Sequence, residues 1–301
     1  MLAYGVAADA LDEYLQMSED SVLLSLKEFC KLVVHLFQNE YLRKPTEQDL
    51  RRIMAINAAR GFPGCVGCID CQHWEWERCP IAWAGQYKGK GKKPTIVLEA
   101  ISDGEVWIWH AFFGSPGSLN DISIMDHSPT IDDIIAGEFP PSLPYWVNGN
   151  ERKILYYLAD GIYPNWAIFV KTISEGVTKK ETTYAAAQEA MHKDIERAFG
   201  VLTARFHILK RPSRLWYQED IARVMKACII IHNMIVEYRR DTYEIEWHSR
   251  SAAGIFANGA VPTETWASMV GSREERITNS DDHFSLKNDL IEHIWEMHGN
   301  R

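Results

Sequence analysis

Three acidic residues, Asp70, Asp160 and Glu196, stand where their chemistry would matter. Asp70 follows the apolar run Cys65–Ile69, and Asp160 closes the run Lys153–Ala159. Glu196 lies in a helical pattern beside Ile195, one turn before Gly200. A charge set against an apolar run is costly unless it is paired or metal-bound. Carboxylates from a first strand, a later strand end and a packed helix can converge, and such oxygen donors bind hard divalent cations. Two such ions about 3.5–4 Å apart activate a water and stabilise the leaving oxygen of a phosphodiester. The competing explanation is coincidence, because the chain holds 41 acidic residues and many fall near element ends.

Other side chains could assist. His73, three residues beyond Asp70, could orient an acid or touch substrate, or be a satisfied structural histidine. Lys88, Lys90, Lys92 and Lys93 form a glycine-interleaved strip that could follow a phosphate chain, or simply be solvated. Arg197, Arg205, Lys210, Arg211 and Arg214 form a second basic strip on and after the Glu196 helix, where a surface helix also needs charges. Trp74, Trp76, Trp83, Trp107 and Trp109 could stack on bases, but core packing is the preferred reading. Four of the six cysteines, Cys65, Cys68, Cys71 and Cys79, fall within fifteen residues. A strand would point the first three to alternate faces, so one zinc would not easily collect them.

The elements that must position these groups read as follows. Ser18 caps a helix from Glu19 to about Gln38, and Thr46 with Asp49 opens another that Gly61 and Pro63 end. Short helices in a row permit a helix-turn-helix or a packing module. Cys65–Cys71 reads as a buried strand ending near Asp70. Thr95–Ser102 and Glu105–Phe113 read as strands joined by Asp103-Gly104 in a two-residue hairpin turn. A helix begins near Asn120, and Gly137–Gly149 reads as a loop. Lys153–Ala159 is a further strand. Ile195–Leu209 is helical until Pro212, Gln218–Tyr238 is a long helix, and Phe284–Met297 is an amphipathic close. The sum is a mixed α/β fold with an antiparallel start, flanked by helices.

Composition sets outer limits. At 46% hydrophobic and 24% charged, the chain reads as an ordinary globular protein. No apolar run reaches the roughly 18 residues of a membrane span, so no membrane association is expected. The start lacks a basic and then apolar leader, so secretion and disulfides are not expected. The net charge of −9 argues mildly against a simple nucleic-acid binder without excluding local basic strips.

Several stretches, in order, resemble plant PIF/Harbinger transposases. They are Gly67–Pro80 (GCIDCQHWEWERCP), Trp83–Tyr87 (WAGQY), Pro94–Ala100 (PTIVLEA), Trp107–Gly114 (WIWHAFFG), Pro116–Asp121 (PGSLND), Leu158–Pro164 (LADGIYP), Ile195–Phe206 (IERAFGVLTARF) and Ile231–Ile235 (IHNMI). The resemblance implies an RNase H-like mixed sheet flanked by helices, with an acidic triad of Asp70, Asp160 and Glu196. Thirty-five residues separate the last two. Asp121 also lies in a family motif and competes for the second place; Asp160 is preferred because it follows a core strand, leaving Asp121 as a helix start or a supporting group. The expected divisions are an N-terminal helical module at 1–62, a nuclease domain at 63–240, and an irregular tail with a closing helix at 241–301. The first residues already look family-like (LAYGVAADALDEYL), so a preceding segment is expected to be missing.

The implied activity is that of a DNA endonuclease and strand transferase using two Mg2+ or Mn2+ ions at transposon ends. The implied partners are DNA and a Myb-like DNA-binding protein that helps carry the chain into the nucleus; self-association is left open. The alternative from another class is a domesticated, catalytically silent adaptor that binds DNA or protein.

Overall fold

The computed structural model describes residues 1–89, 91–136, 139–247 and 277–298. After a 3-10 turn at Asp9–Leu11 and the short α1 (Asp12–Leu15), Ser18 caps α2 (Glu19–Tyr41) by accepting from the Ser21 amide. Thr46 and Asp49 form the expected reciprocal cap on α3 (Glu47–Ala59). Both helices start at the expected residues because local capping sets their starts.

The sheet contains β1 (Cys65–Glu75), β2 (Thr95–Ser102), β3 (Ile108–Pro116), β6 (Tyr156–Ala159) and β7 (Phe169–Lys171), in the order β3-β2-β1-β6-β7. β1 pairs antiparallel with β2, and β2 with β3, whereas β1–β6 and β6–β7 are parallel. The mixed sheet matches the expected class. Helix α4 (Ile81–Tyr87) joins β1 to β2, and α5 (Asp121–Met125) and α6 (Pro129–Ile135) follow β3. A separate hairpin of β4 (Tyr145–Val147) and β5 (Asn150–Arg152) precedes β6. Helix α7 (Lys179–Arg205), the 3-10 turn His207–Lys210, α8 (Gln218–Trp247) and α9 (Ser280–His298) complete the described elements.

Five features differ from the sequence reading. β1 runs on to Glu75, because β2 pairs with it through the register Glu75↔Thr95, so Asp70 is mid-strand rather than terminal. The turn after β2 is longer than two residues: the Asp103 carboxylate accepts from the Glu105 and Trp107 amides and from Trp109 Nε1, holding Ser102–Ile108 as a wider loop. The stretch expected to be a loop at Gly137–Gly149 contains β4, and the strand expected from Lys153 begins only at Tyr156. α7 begins sixteen residues before Ile195, where Thr178 and Glu181 make a second reciprocal cap.

α2 packs on α8, α3 and α7 pack on β1, and α9 packs on α7. One apolar core runs through all of these, joining Leu26, Cys30 and Leu50 to Ile69, Leu158, Ile195, Cys228 and Leu290. The first helices therefore share the sheet's core. Each fully buried Leu or Ile there stabilises the fold by about 1.5–3 kcal/mol. Trp74, Trp76, Trp107 and Trp109 are buried, as the packing reading expected, while Trp83 is 46% exposed.

Candidate acidic site

A bulge in β1 aligns Asp70 with Asp160. Cys65 pairs with Tyr156, but the next pair is Cys68 with Leu158, so β1 spends three residues where β6 spends two. Continuing two residues along each strand brings Asp70 level with Asp160. Without the extra residue, Ile69 would hold that position. The bulge centres on Gly67, whose φ is +148°, and a Cβ there would meet the Ser102 carbonyl oxygen at 2.7 Å. Only glycine accommodates that combination of conformation and close approach.

Asp70 is partly buried, and its carboxyl is pushed up to about 6. Burial is the main cause; the charges of Asp160 and Asp121 raise it further, while the Cys71 amide and His192 oppose the shift. The Cys71 amide donates to Asp70 Oδ1 at 2.7 Å, and the Ile162 amide donates to Asp160 Oδ1 at 3.0 Å. Asp121 opens α5, where Asn120 provides the cap. Asp160 and Asp121 thus both act on Asp70 near the carboxyl end of β6.

Helix α7 lies across this end in register. Gln188 Nε2 donates to Ala159 O at 3.1 Å, His192 Nε2 donates to Ile69 O at 3.2 Å, and Arg197 reaches Gly104 O. Glu196 is therefore one turn beyond His192, about 6 Å along the axis toward the β2–β3 turn. It is exposed. The charges acting most on Asp70 are those of His192, Asp160 and Asp121.

The remaining expected groups are scattered. His73, an odd number of residues from Asp70 on a regularly paired strand, points to the opposite face and meets Thr95 Oγ1 at 2.9 Å. Lys88, Lys92 and Lys93 are exposed beside Glu75, with Lys93 paired to it at 2.6 Å. That places them about 16 Å along β1 from Asp70. Lys90 lies outside the described residues. Arg197 also pairs with Asp194 at 3.3 Å, and Arg205 turns inward to His232 Nδ1 and O, both at 3.1 Å. Lys210, Arg211 and Arg214 are exposed beyond α7. The cysteine sulfurs take separate partners: Cys65 meets Gly67 O, Cys68 meets Met191 O, Cys71 meets Tyr163 Oη, and Cys79 meets Pro80 O.

Two residues were missed in the sequence. His192 ties α7 to the residue before Asp70, and its place four residues ahead of Glu196 on one helix was the available signal. Glu99 is fully buried opposite Cys71, accepts from Ser128 Oγ, lies 3.2 Å from His110 Nε2, and has one oxygen without a hydrogen-bond partner. An acid inside the apolar run TIVLEAI was its signal.

Among the described residues, no group of three or more His, Cys, Asp or Glu side chains is placed to hold a metal ion. Asp70 and Asp160 offer two carboxylates at one level, and the charge of Asp160 adds a little to the burial that raises Asp70.

A family profile described as "Plant transposon protein" matches residues 39–243. The chain is 25% identical over 185 residues to the "Putative nuclease HARBI1" of Bos taurus and to that of Homo sapiens, covering 61% of this chain and 49% of each relative. It is 24% identical over 187 residues to the "Putative nuclease HARBI1" of Rattus norvegicus. The chain spans about half the length of the curated relatives it matches. No solved structure matches it.

Proposed function

The chain belongs to the plant transposon protein family, and on that premise we propose that it is a metal-dependent DNA endonuclease and strand transferase acting at transposon ends. The observation that carries the reading is the bulge at Gly67, which brings Asp70 level with Asp160 across parallel strands. The strand order β3-β2-β1-β6-β7, with antiparallel and then parallel pairing, supports an RNase H-like fold.

In this reading Asp70 and Asp160 hold Mg2+ or Mn2+, with Glu196 as the third acid supplied by the family-like motif IERAFG. When bound, the ions would lower the pKa of an attacking water and stabilise the leaving oxygen. The protein's own residues do the positioning. His192 fixes the strand at Ile69, the Cys71 and Ile162 amides orient the two carboxylates, and exposed Lys88, Lys92, Arg211 and Arg214 are available to backbone phosphates. A Myb-like DNA-binding partner and a nuclear place of action belong to the same proposal. The net charge of −9 supports shared DNA binding.

One observation favours a second reading, that of a catalytically silent adaptor: Glu196 is exposed a turn beyond His192. A nicking assay on a terminal-repeat duplex with Mn2+ and a Myb-like partner separates the two. The nuclease reading expects wild-type nicking that Asp70→Asn and Asp160→Asn abolish. Binding without nicking in wild type would leave the adaptor.

A further inference from the structure

We propose that Lys171 and Lys287 form a phosphate subsite, beside the acidic centre, that grips the backbone of the DNA strand; this rests on the nuclease reading above. Lys171 ends β7, in register with Ala159, the residue before Asp160. Its ammonium donates to Tyr163 O at 2.7 Å, in the loop that Asp160 begins. Lys287 reaches across from α9 and donates to Thr172 O at 3.2 Å, the carbonyl next in sequence to Lys171. The closing helix thus brings a second cation to the edge of the proposed metal site.

The arrangement is costly as it stands. Both side chains are half-buried, and neither forms an ion pair among the described residues. Burial and the charge of Lys171 both push the Lys287 ammonium down. Glu181, the carboxylate that opposes this at Lys287, is committed to the α7 cap through the Val177 and Thr178 amides, both within 2.9 Å. Asp160, which opposes the shift at Lys171, is claimed by the metal in the proposed mechanism. Each ammonium has three donors and spends one on a carbonyl. Two like charges held together with donors to spare suit an anion, and a phosphodiester entering at Asp160 supplies one. By contrast, Lys180, on the same two-helix face, is already paired with Glu292.

The test is the salt dependence of binding to a short fluorescent DNA duplex, measured by anisotropy without divalent ions so that no cleavage intervenes. Each lost phosphate contact should lower the slope of log K against log salt by about 0.9. The double variant K171Q/K287Q should therefore lose about 1.8, while the charge-retaining K171R/K287R and the control K180Q keep the wild-type slope. If the double variant does not fold by circular dichroism, each single variant carries the test with a loss of about 0.9. A lowered melting temperature with an unchanged slope means the lysines only hold the two carbonyls, and overturns the subsite alone. Wild type showing no salt-sensitive binding overturns the DNA reading and the subsite with it.

Discussion

Gly67 passes so close to Ser102 that a methyl group on it would stand 2.7 Å from the Ser102 carbonyl oxygen. Gly67→Ala must therefore move β1 away from β2 or undo the bulge. The expected cost is about 1–3 kcal/mol, read by urea denaturation. Undoing the bulge would put Ile69 level with Asp160, so divalent-dependent nicking should fall well beyond the loss of folded protein. A variant with full activity and unchanged stability would contradict the register described above.

Asp70 sets a pH dependence of definite sign. Its folded carboxyl, near 6, lies above its ordinary value, so the folded state holds the proton more tightly than the unfolded chain. By itself this group makes the metal-free protein lose stability as pH rises from about 4 to 6. Asp70→Asn should consequently raise the melting temperature at neutral pH while removing the stabilisation that Mn2+ gives the wild type. A destabilised Asp70→Asn protein would argue that Asp70 is held by a partner instead.

His232 works in the opposite direction. Burial, helped by the charge of Arg205, pushes its pKa down to about 4, while the bond that Nε2 donates to Val106 O at 2.7 Å opposes the shift; Nδ1 accepts from Arg205 at 3.1 Å. Its contribution is complete above about 6.5 and is lost as pH falls through 4. His232→Gln should flatten the acid limb of the stability curve, measured by denaturation between those pH values.

In the proposed metal site, Asp121 and Glu196 compete for the third place. Asp121 already acts on Asp70, whereas Glu196 carries the family motif. Isothermal titration with Mn2+ should show a tenfold or greater weakening for whichever one ligates. Glu196→Gln with unchanged metal affinity and unchanged nicking would remove Glu196 from the site.

Asp289 anchors α9 by accepting from Arg152 and, at 2.9 Å, from Asn150. Both members of the charge pair are mostly buried, so Asp289→Ala should cost about 3 kcal/mol by leaving Arg152 uncompensated. If α9 presents Lys287 to DNA, the same variant should also lower the salt slope of binding.

The sequence alone determined the local features. The caps at Ser18 and Thr46 depend on residues within one turn of the helix start, and the burial of Trp107 and Trp109 follows from their place in an apolar run. The acids after apolar runs were visible because an isolated charge there needs a partner. The tertiary structure alone decided which acids meet. Asp70 reaches Asp160 through a one-residue bulge between strands about ninety residues apart, and no local pattern encodes which residue faces which across a parallel pair. The same holds for α7, whose hydrogen bonds to Ala159, Ile69 and Gly104 set how far along the sheet Glu196 sits. Helical periodicity gives the angle of a side chain about its axis, but only packing against the sheet gives its height.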